Sequence, residues 1–243
     1  MNSLEVVFTP QEIKNIRWSD KLIVVIDVLR ASSTIVTALA NGCRGFIPIL
    51  SPEQAKEKAQ QFEKEEALLG GEREGKKIKG FSLGNSPREY QKDIVEDRII
   101  IFSTTNGVKT LEMVKDASRV IIACFLNLQT VCNYCSNFKG NILLVCAGRE
   151  GCFSLEDAIC AGMIINSLKD FYSIESPKRD SNLTAQILYK KLGNDILDML
   201  RKSQHGRYLE KIGLGKDLEF CSRLDIYNIV PVFRKGLISI DNN

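Results

Sequence analysis

The chain has 243 residues, 44% of them apolar, enough to fill the core of one large domain. Its 33 basic and 30 acidic side chains nearly cancel at a net charge of +3, so no overall field selects nucleic acid or an anionic surface. The longest apolar run, residues 158–165, is too short to span a bilayer, so no membrane association is expected.

Residues 4–8 form a short β-rich run closed by a Thr9-Pro10 turn. No apolar leader-type segment accompanies Glu5, Glu12 and Arg17, and a cytoplasmic location is expected. Residues 22–26, Leu-Ile-Val-Val-Ile, read as a strand buried on both faces. The strand ends at Asp27-Val28-Leu29-Arg30-Ala31-Ser32-Ser33-Thr34, and a helical pattern runs on to a C-cap at Asn41-Gly42. The hydroxyls of Ser32 and Ser33 suit either a helix cap or, with Arg30, an anion site at a helix N-terminus. Three consecutive hydroxyls exceed what one cap needs, and a lone carboxylate at a buried strand tip calls for a cation, so the anion site is favoured.

A second strand is expected over residues 45–50, and a helix with a solvated charged face over residues 53–66. A short strand at 67–69 leads into a segment with five glycines between residues 70 and 84, a sign of special backbone angles or close backbone approach. Glu72 and Arg73 stand at that strand end, and Asn85 precedes Ser86-Pro87, an N-cap and N1 pair opening a helix over 87–90. The run 98–102 is another buried strand and ends at Ser103-Thr104-Thr105-Asn106-Gly107 ahead of a helix. A strand at 120–124, a helix at 126–138 and a strand at 141–146 follow. The last of these enters Gly148-Arg149-Glu150-Gly151-Cys152-Phe153-Ser154-Leu155-Glu156-Asp157, and a helical pattern leaves it. Beyond residue 170 the chain is more polar and helical, and residues 229–233, which contain Pro231, suit an edge strand.

Strands alternating with helices predict an α/β fold with a largely parallel or mixed sheet and helices on both faces. No Gly/Ser-rich or Pro-rich linker interrupts it, so residues 1–243 read as one domain. Cys132 and Cys135 form a C-x-x-C inside a helical pattern with no second ligand pair, and read as two unpaired helix cysteines, with a thiol redox protein as the alternative.

Three strand ends carry acids, arginines and hydroxyls, as open α/β sheets place their ligands. Asp27, Glu72, Glu150 and Asp157, with Glu156 beside them, are carboxylates suited to Mg²⁺. Arg30, Arg73 and Arg149 suit a small substrate with several anionic oxygens. Ser32, Ser33, Asn85, Ser86, Thr104, Thr105 and Asn106 are the candidate substrate-binding hydroxyls and amides, and Asp27, Arg30 and Glu150 the candidate catalytic groups. Aromatic platforms are nearly absent from these loops, which excludes base stacking on nucleic acid. The one histidine, His205, falls in a polar helical stretch and reads as a surface residue, so the chemistry is expected to run without histidine. A metal and a cationic clamp together suit phosphoryl transfer.

Four stretches, taken together, resemble the motifs of the 2-phosphosulfolactate phosphatase family. They are Asp27-Val28-Leu29-Arg30-Ala31-Ser32-Ser33-Thr34; Gly71-Glu72-Arg73 with Gly84-Asn85-Ser86-Pro87; Thr104-Thr105-Asn106-Gly107; and Gly148-Arg149-Glu150-Gly151 with Ser154-Leu155-Glu156-Asp157. The resemblance implies a three-layer α/β/α fold and a Mg²⁺-dependent phosphatase that releases phosphate from 2-phosphosulfolactate to give sulfolactate, a step toward coenzyme M. It leaves open another phosphorylated hydroxy acid as substrate, a non-catalytic anion-binding module, and a homo-oligomeric assembly. Asp27 suits both attack on phosphorus and metal binding, and residue 29 is Leu, so the Asp-x-Asp of aspartyl-phosphate phosphatases is absent.

Overall fold

The computed structural model describes residues 2–63, 65–174 and 180–240. Ten strands in these residues form one mixed, mostly parallel sheet in the order β1-β8-β2-β7-β9-β10-β3-β6-β4-β5. The strands are β1 (Leu4–Val7), β2 (Leu22–Ile26), β3 (Gly45–Pro48), β4 (Ala67–Arg73), β5 (Lys76–Lys77), β6 (Ile99–Ser103), β7 (Arg119–Ala123), β8 (Ile142–Cys146), β9 (Pro231–Arg234) and β10 (Leu237–Ile240). The helices are α1 (Ala31–Ala40), α2 (Pro52–Ala59), α3 (Lys92–Val95), α4 (Gly107–Val114), α5 (Leu128–Asn137), α6 (Leu155–Leu168), α7 (Ser181–Leu192), α8 (Ile196–Lys202), α9 (Gln204–Lys211) and α10 (Gly215–Cys221). The arrangement is the expected three-layer α/β class.

The apolar runs of β2 and β8 are fully buried because both sheet faces are covered. Their side chains alternate as the pleat requires. Leu22, Val24 and Ile26 face a core with α5, α6 and the later helices. Ile23 and Val25 face a second core that also holds Ile35 and Leu39 of α1, Val108 and Leu111 of α4, and Phe46, Ile100 and Phe102 from β3 and β6. The parallel quartet β1-β8-β2-β7 and the parallel set β3-β6-β4 thus share a core, and their carboxyl ends converge.

Some sequence expectations change. The strand at 231–234 is interior: it pairs antiparallel with β7 on one side and β10 on the other. Pro231 is tolerated there because it is the first residue of the strand, where a missing N–H does least harm. Helix α2 stops at Ala59 rather than 66, since Gln60, Gln61 and Phe62 tighten into three-residue hydrogen-bonded turns that set Phe62 beside Ala55 and Ile101. The Ser86-Pro87 pair opens only a three-residue 3-10 turn, and the turn at Thr9-Pro10 continues as a 3-10 helix over Pro10–Asn15. Strand β4 runs on through the glycines, because Gly71 brings its backbone against β6: a Cβ there would lie 2.0 Å from the Ser103 carbonyl oxygen. Among the described residues no helix is long and apolar enough to cross a membrane.

Candidate active site

A cleft of about 420 Å³ opens where the carboxyl ends of β2, β4, β6 and β8 meet. Asp27, Arg30, Glu72, Arg73, Asn85, Thr104, Thr105, Asn106, Arg149 and Glu150 line it, as the sequence led one to expect. Three further lining residues carry weight: Gly75, His205 and Tyr208.

Asp27 is the first residue after β2 and only 6% exposed. Its N–H donates to Ser32 Oγ (3.0 Å), and its Oδ1 accepts from the Ala31 N–H (3.3 Å) at the start of α1. The other oxygen, Oδ2, faces the first residue of α4, where a Cβ on Gly107 would come within 2.9 Å of it. The N-terminus of α1 therefore donates to this carboxylate, and the first residue of α4 lies beside it. Burial pushes its pKa from 3.8 to about 6, partly offset by the charge of His205 and the Ala31 amide and reinforced by Glu72 and Glu156.

Glu72, at the end of β4, is buried and ties two loops together: Oε2 accepts from the Gly75 N–H (2.8 Å) and Oε1 from the Thr105 N–H (2.9 Å). Asn106 Oδ1 accepts from the Glu150 N–H (3.0 Å), joining the loops after β6 and β8. Thr104 Oγ1 accepts a long 3.4 Å bond from the Val108 N–H.

The three arginines separate. Arg30 donates to Asp217 Oδ2 (2.7 Å) and the Gly75 carbonyl (2.7 Å), and is 3% exposed. Its carboxylate partner is thus Asp217, not Asp27. Arg73 spends its guanidinium on the carbonyls of Glu72, Ser103 and Leu50 and on Ser103 Oγ. Among the described residues Arg149 has only a 4.0 Å ion pair with Glu150 and a ring contact, its guanidinium lying 4.5 Å over Tyr208. It is the arginine left to meet a substrate.

Four predicted residues do not reach the cleft. Ser32 accepts from Asp27 N–H, and Ser33 Oγ donates to the Val28 carbonyl (2.8 Å), so both hydroxyls close the β2–α1 turn instead of meeting an anion. Ser86 Oγ donates to Asp217 Oδ1 (2.6 Å). Asp157 is buried at the start of α6, its oxygens accepting from the N–H groups of Val28 (2.8 Å) and Gly148 (3.1 Å). Burial, then the charges of Asp27 and Glu156, push the Asp157 carboxyl well above its ordinary value.

His205 corrects the expectation of a surface histidine. It and Tyr208 stand three residues apart on α9, so they share a face, and that face is the wall of the cleft. The His205 side chain is 16% exposed, with Nδ1 3.6 Å from Glu156 Oε1. Burial alone would raise the Glu156 carboxyl, but His205 outweighs it and holds the acid below its ordinary value. The sequence signal was faint: a polar i, i+3 pair flanking Gly206 and Leu209, both buried, in an otherwise charged helix.

The expected set of four metal carboxylates is not assembled. Asp157 is committed to amides, the Glu150 side chain is 73% exposed at the mouth, and no group of three or more His, Cys, Asp or Glu with metal-holding geometry occurs among the described residues. Asp27 and Glu72 remain as cleft carboxylates, each oxygen of Glu72 having spare lone pairs. Beside them, Asn85 Oδ1 and Thr105 Oγ1 are buried without a partner in the described structure. That oxygen set fits Mg²⁺, which binds through one or two carboxylates, keeps waters and takes up substrate phosphate oxygens. The thiols take no part: Cys132 and Cys135 are buried and free, and burial drives both pKa values upward, Cys132 to about 11.

An α/β sheet whose strand ends hold a buried carboxylate beside helix N-termini, with an arginine and a histidine lining the same cleft, suits the binding of a phosphate monoester. A family model described as 2-phosphosulpholactate phosphatase matches residues 7–236. A protein of Caldanaerobacter subterraneus subsp. tengcongensis named "Probable 2-phosphosulfolactate phosphatase" is 41% identical over 219 residues, 90% of either chain. Proteins of the same name from Clostridium perfringens (39% over 237 residues, 97% of this chain and 95% of that one) and Clostridium acetobutylicum (37% over 235 residues, 97% and 99%) are also similar. The chain belongs to the 2-phosphosulfolactate phosphatase family.

Proposed function

We propose that the chain hydrolyses 2-phosphosulfolactate to sulfolactate and phosphate, with Mg²⁺ as cofactor. One observation carries this reading: Arg149, whose guanidinium is kept over Tyr208 and loosely paired to an exposed Glu150, faces the same cleft as Asp27. A guanidinium held this loosely suits a substrate with phosphate, carboxylate and sulfonate oxygens.

Asp27 is the group on which phosphoryl transfer turns. Its charge is held at the N-termini of α1 and α4, which also favour the phosphate oxygens brought beside it. Glu72, bonded to Gly75 and Thr105, keeps the loops after β4 and β6 at fixed separation. Arg149 orients the anionic substrate, and Arg30 and Arg73 hold the loops around it. Asp27 and Glu72, with Asn85 Oδ1, would hold Mg²⁺, which neutralises phosphate charge when bound. A cytoplasmic place and a role in coenzyme M synthesis are part of the same proposal.

The test is phosphate release from 2-phosphosulfolactate and from other phosphorylated 2-hydroxy acids, with Mg²⁺ and with excess EDTA. Mg²⁺-dependent release, fastest for 2-phosphosulfolactate, is the expected result. A faster turnover of another ester would change the substrate, full activity in EDTA would remove the cofactor, and no release from any ester would overturn the reading. Acid-quenched enzyme given labelled substrate separates attack by Asp27, which leaves label on the protein, from attack by water, which does not.

A further inference from the structure

We propose that His205 is the general acid that protonates the leaving alcohol oxygen, and that Glu156 is its positioning residue. The inference rests on the phosphatase reading. Hydrolysis of an alkyl phosphate expels an alkoxide, a poor leaving group, and a placed proton donor lowers that barrier. The cleft offers few donors. Asp27 and Glu72 are carboxylates at its floor, Arg149 is the guanidinium placed to bind the substrate's anionic oxygens, and Arg30 is sealed against Asp217. His205 is the one histidine of the chain, and it lines the same cleft.

Its geometry is that of an oriented imidazole. Nδ1 lies 3.6 Å from Oε1 of Glu156, a carboxylate with only 2% of its residue surface exposed. A carboxylate beside one ring nitrogen holds the orientation of the ring, leaving Nε2 for the cleft. Glu156 is itself placed by the first turn of α6, beside Asp157, whose carboxylate is anchored on Val28 and Gly148. The acid–histidine pair is thereby referenced to the end of β2, where Asp27 begins.

The step balances simply. The P–O bond to the substrate's C2 oxygen breaks, its electron pair stays on that oxygen, and the proton on Nε2 moves to it. The incoming nucleophile forms the new bond to phosphorus. Where that nucleophile is water, one of its protons passes to His205; where it is Asp27, water then breaks the Asp27–phosphorus bond, its oxygen stays on the released phosphate and one of its protons passes to His205.

The test compares two leaving groups. His205→Ala and His205→Gln, with Glu156→Gln alongside, are assayed on 2-phosphosulfolactate and on 4-nitrophenyl phosphate, whose phenolate departs without protonation. Loss of a general acid should lower kcat on the alkyl ester about 100-fold or more, and on the aryl ester less than about fivefold. Glu156→Gln should follow the same split more weakly. Equal losses on both esters, or no loss on either, would overturn the proposal. If wild type refuses the aryl ester, imidazole added to His205→Ala decides: recovered turnover of the alkyl ester supports the proposal and absence of recovery overturns it. Wild-type protein that cleaves no phosphate ester defeats the phosphatase reading itself, whereas active wild type with unselective variants defeats only the role of His205. His205→Gln keeps a polar side chain of similar reach, so a folded, thermally normal variant keeps the comparison valid.

Discussion

The floor and the wall of the cleft are built from different bonds. The floor, made by the loops after β2, β4, β6 and β8, is fixed by carboxylates that accept from backbone N–H groups: Asp157 from Val28 and Gly148, Glu72 from Gly75 and Thr105, Asp27 from Ala31. The wall, made by α9 and α10, is docked by side chains: Asp217 on Arg30 and Ser86, His205 on Glu156, and the Tyr208 hydroxyl on the Glu74 carbonyl (2.9 Å). A floor of this kind moves only if the main chain moves. The wall also packs Leu209, Leu218 and Cys221 into the apolar core, but its polar ties to the floor rest on these few side chains, so single substitutions can loosen it while the floor stays intact.

The largest effect is expected at the floor's reacting group. Asp27→Asn keeps shape and one acceptor but removes the charge, and should lower kcat at least about 1,000-fold, about 4 kcal/mol of barrier. Retention of more than about a tenth of wild-type kcat would deny Asp27 any chemical role. Next comes the wall. Asp217→Ala leaves Arg30 buried and unpaired, and urea unfolding should report a loss of about 3–5 kcal/mol. Activity should fall as well, although Asp217 itself is fully buried away from substrate. A loss under about 1 kcal/mol would mean the wall is held by other contacts.

The floor also carries a cost that pH exposes. The Asp27 carboxyl is raised from 3.8 to about 6 in the folded protein, so above pH 6 its ionised form disfavours folding, and the penalty fades as pH falls from about 6 toward 3.8. The shift corresponds to roughly 3 kcal/mol, at about 1.4 kcal/mol per pH unit. In EDTA at pH 8, Asp27→Asn should therefore melt higher than wild type, and the gap should close by pH 4. A lower melting temperature for the variant at both pH values would contradict the burial argument.

The arginines give a smaller, sharper contrast. Arg149→Ala should raise KM tenfold or more, since a charge-assisted bond contributes about 1.5–3 kcal/mol, while stability stays within about 0.5 kcal/mol. Arg73→Ala, which strips hydrogen bonds from Leu50 and Ser103, should do more to stability than to KM. The reverse pattern would exchange their roles. The smallest effect belongs to Ser32→Ala: loss of the bond from the Asp27 N–H should cost about 1 kcal/mol and leave KM unchanged.

The floor was largely legible in the sequence and the wall was not. Strands buried on both faces leave unbroken apolar runs, so β2, β6 and β8 and the polar turns after them could be read locally. Local reading placed Asp27, Glu72 and Arg149 at one end of the sheet, but could not tell that Ser32 and Ser33 turn inward or that Asp157 is spent on two amides. Asp217 lies 187 positions from Arg30, and an acid in a helix's first turn looks like ordinary capping chemistry. His205 and Tyr208 look like a solvated helix face until α9 is known to lie across the strand ends. Pro231 pointed to an edge strand because sequence alone does not fix which position in a strand a proline occupies.

The β9–β10 hairpin has a bearing on how the molecule is made. It joins the quartet ending in β7 to the set beginning with β3, yet residues 231–240 follow every strand they connect. On the ribosome, every strand on either side of the bridge is translated before it, and the edges of β3 and β7 lack their final partners until residues 231–240 are made. A nascent chain halted before residue 231 would be a ready client for chaperones that hold exposed strand edges. The same arrangement suits complementation: a chain cut ahead of Pro231 should recapture its missing hairpin as a separate peptide, inserted between two finished halves like a keystone.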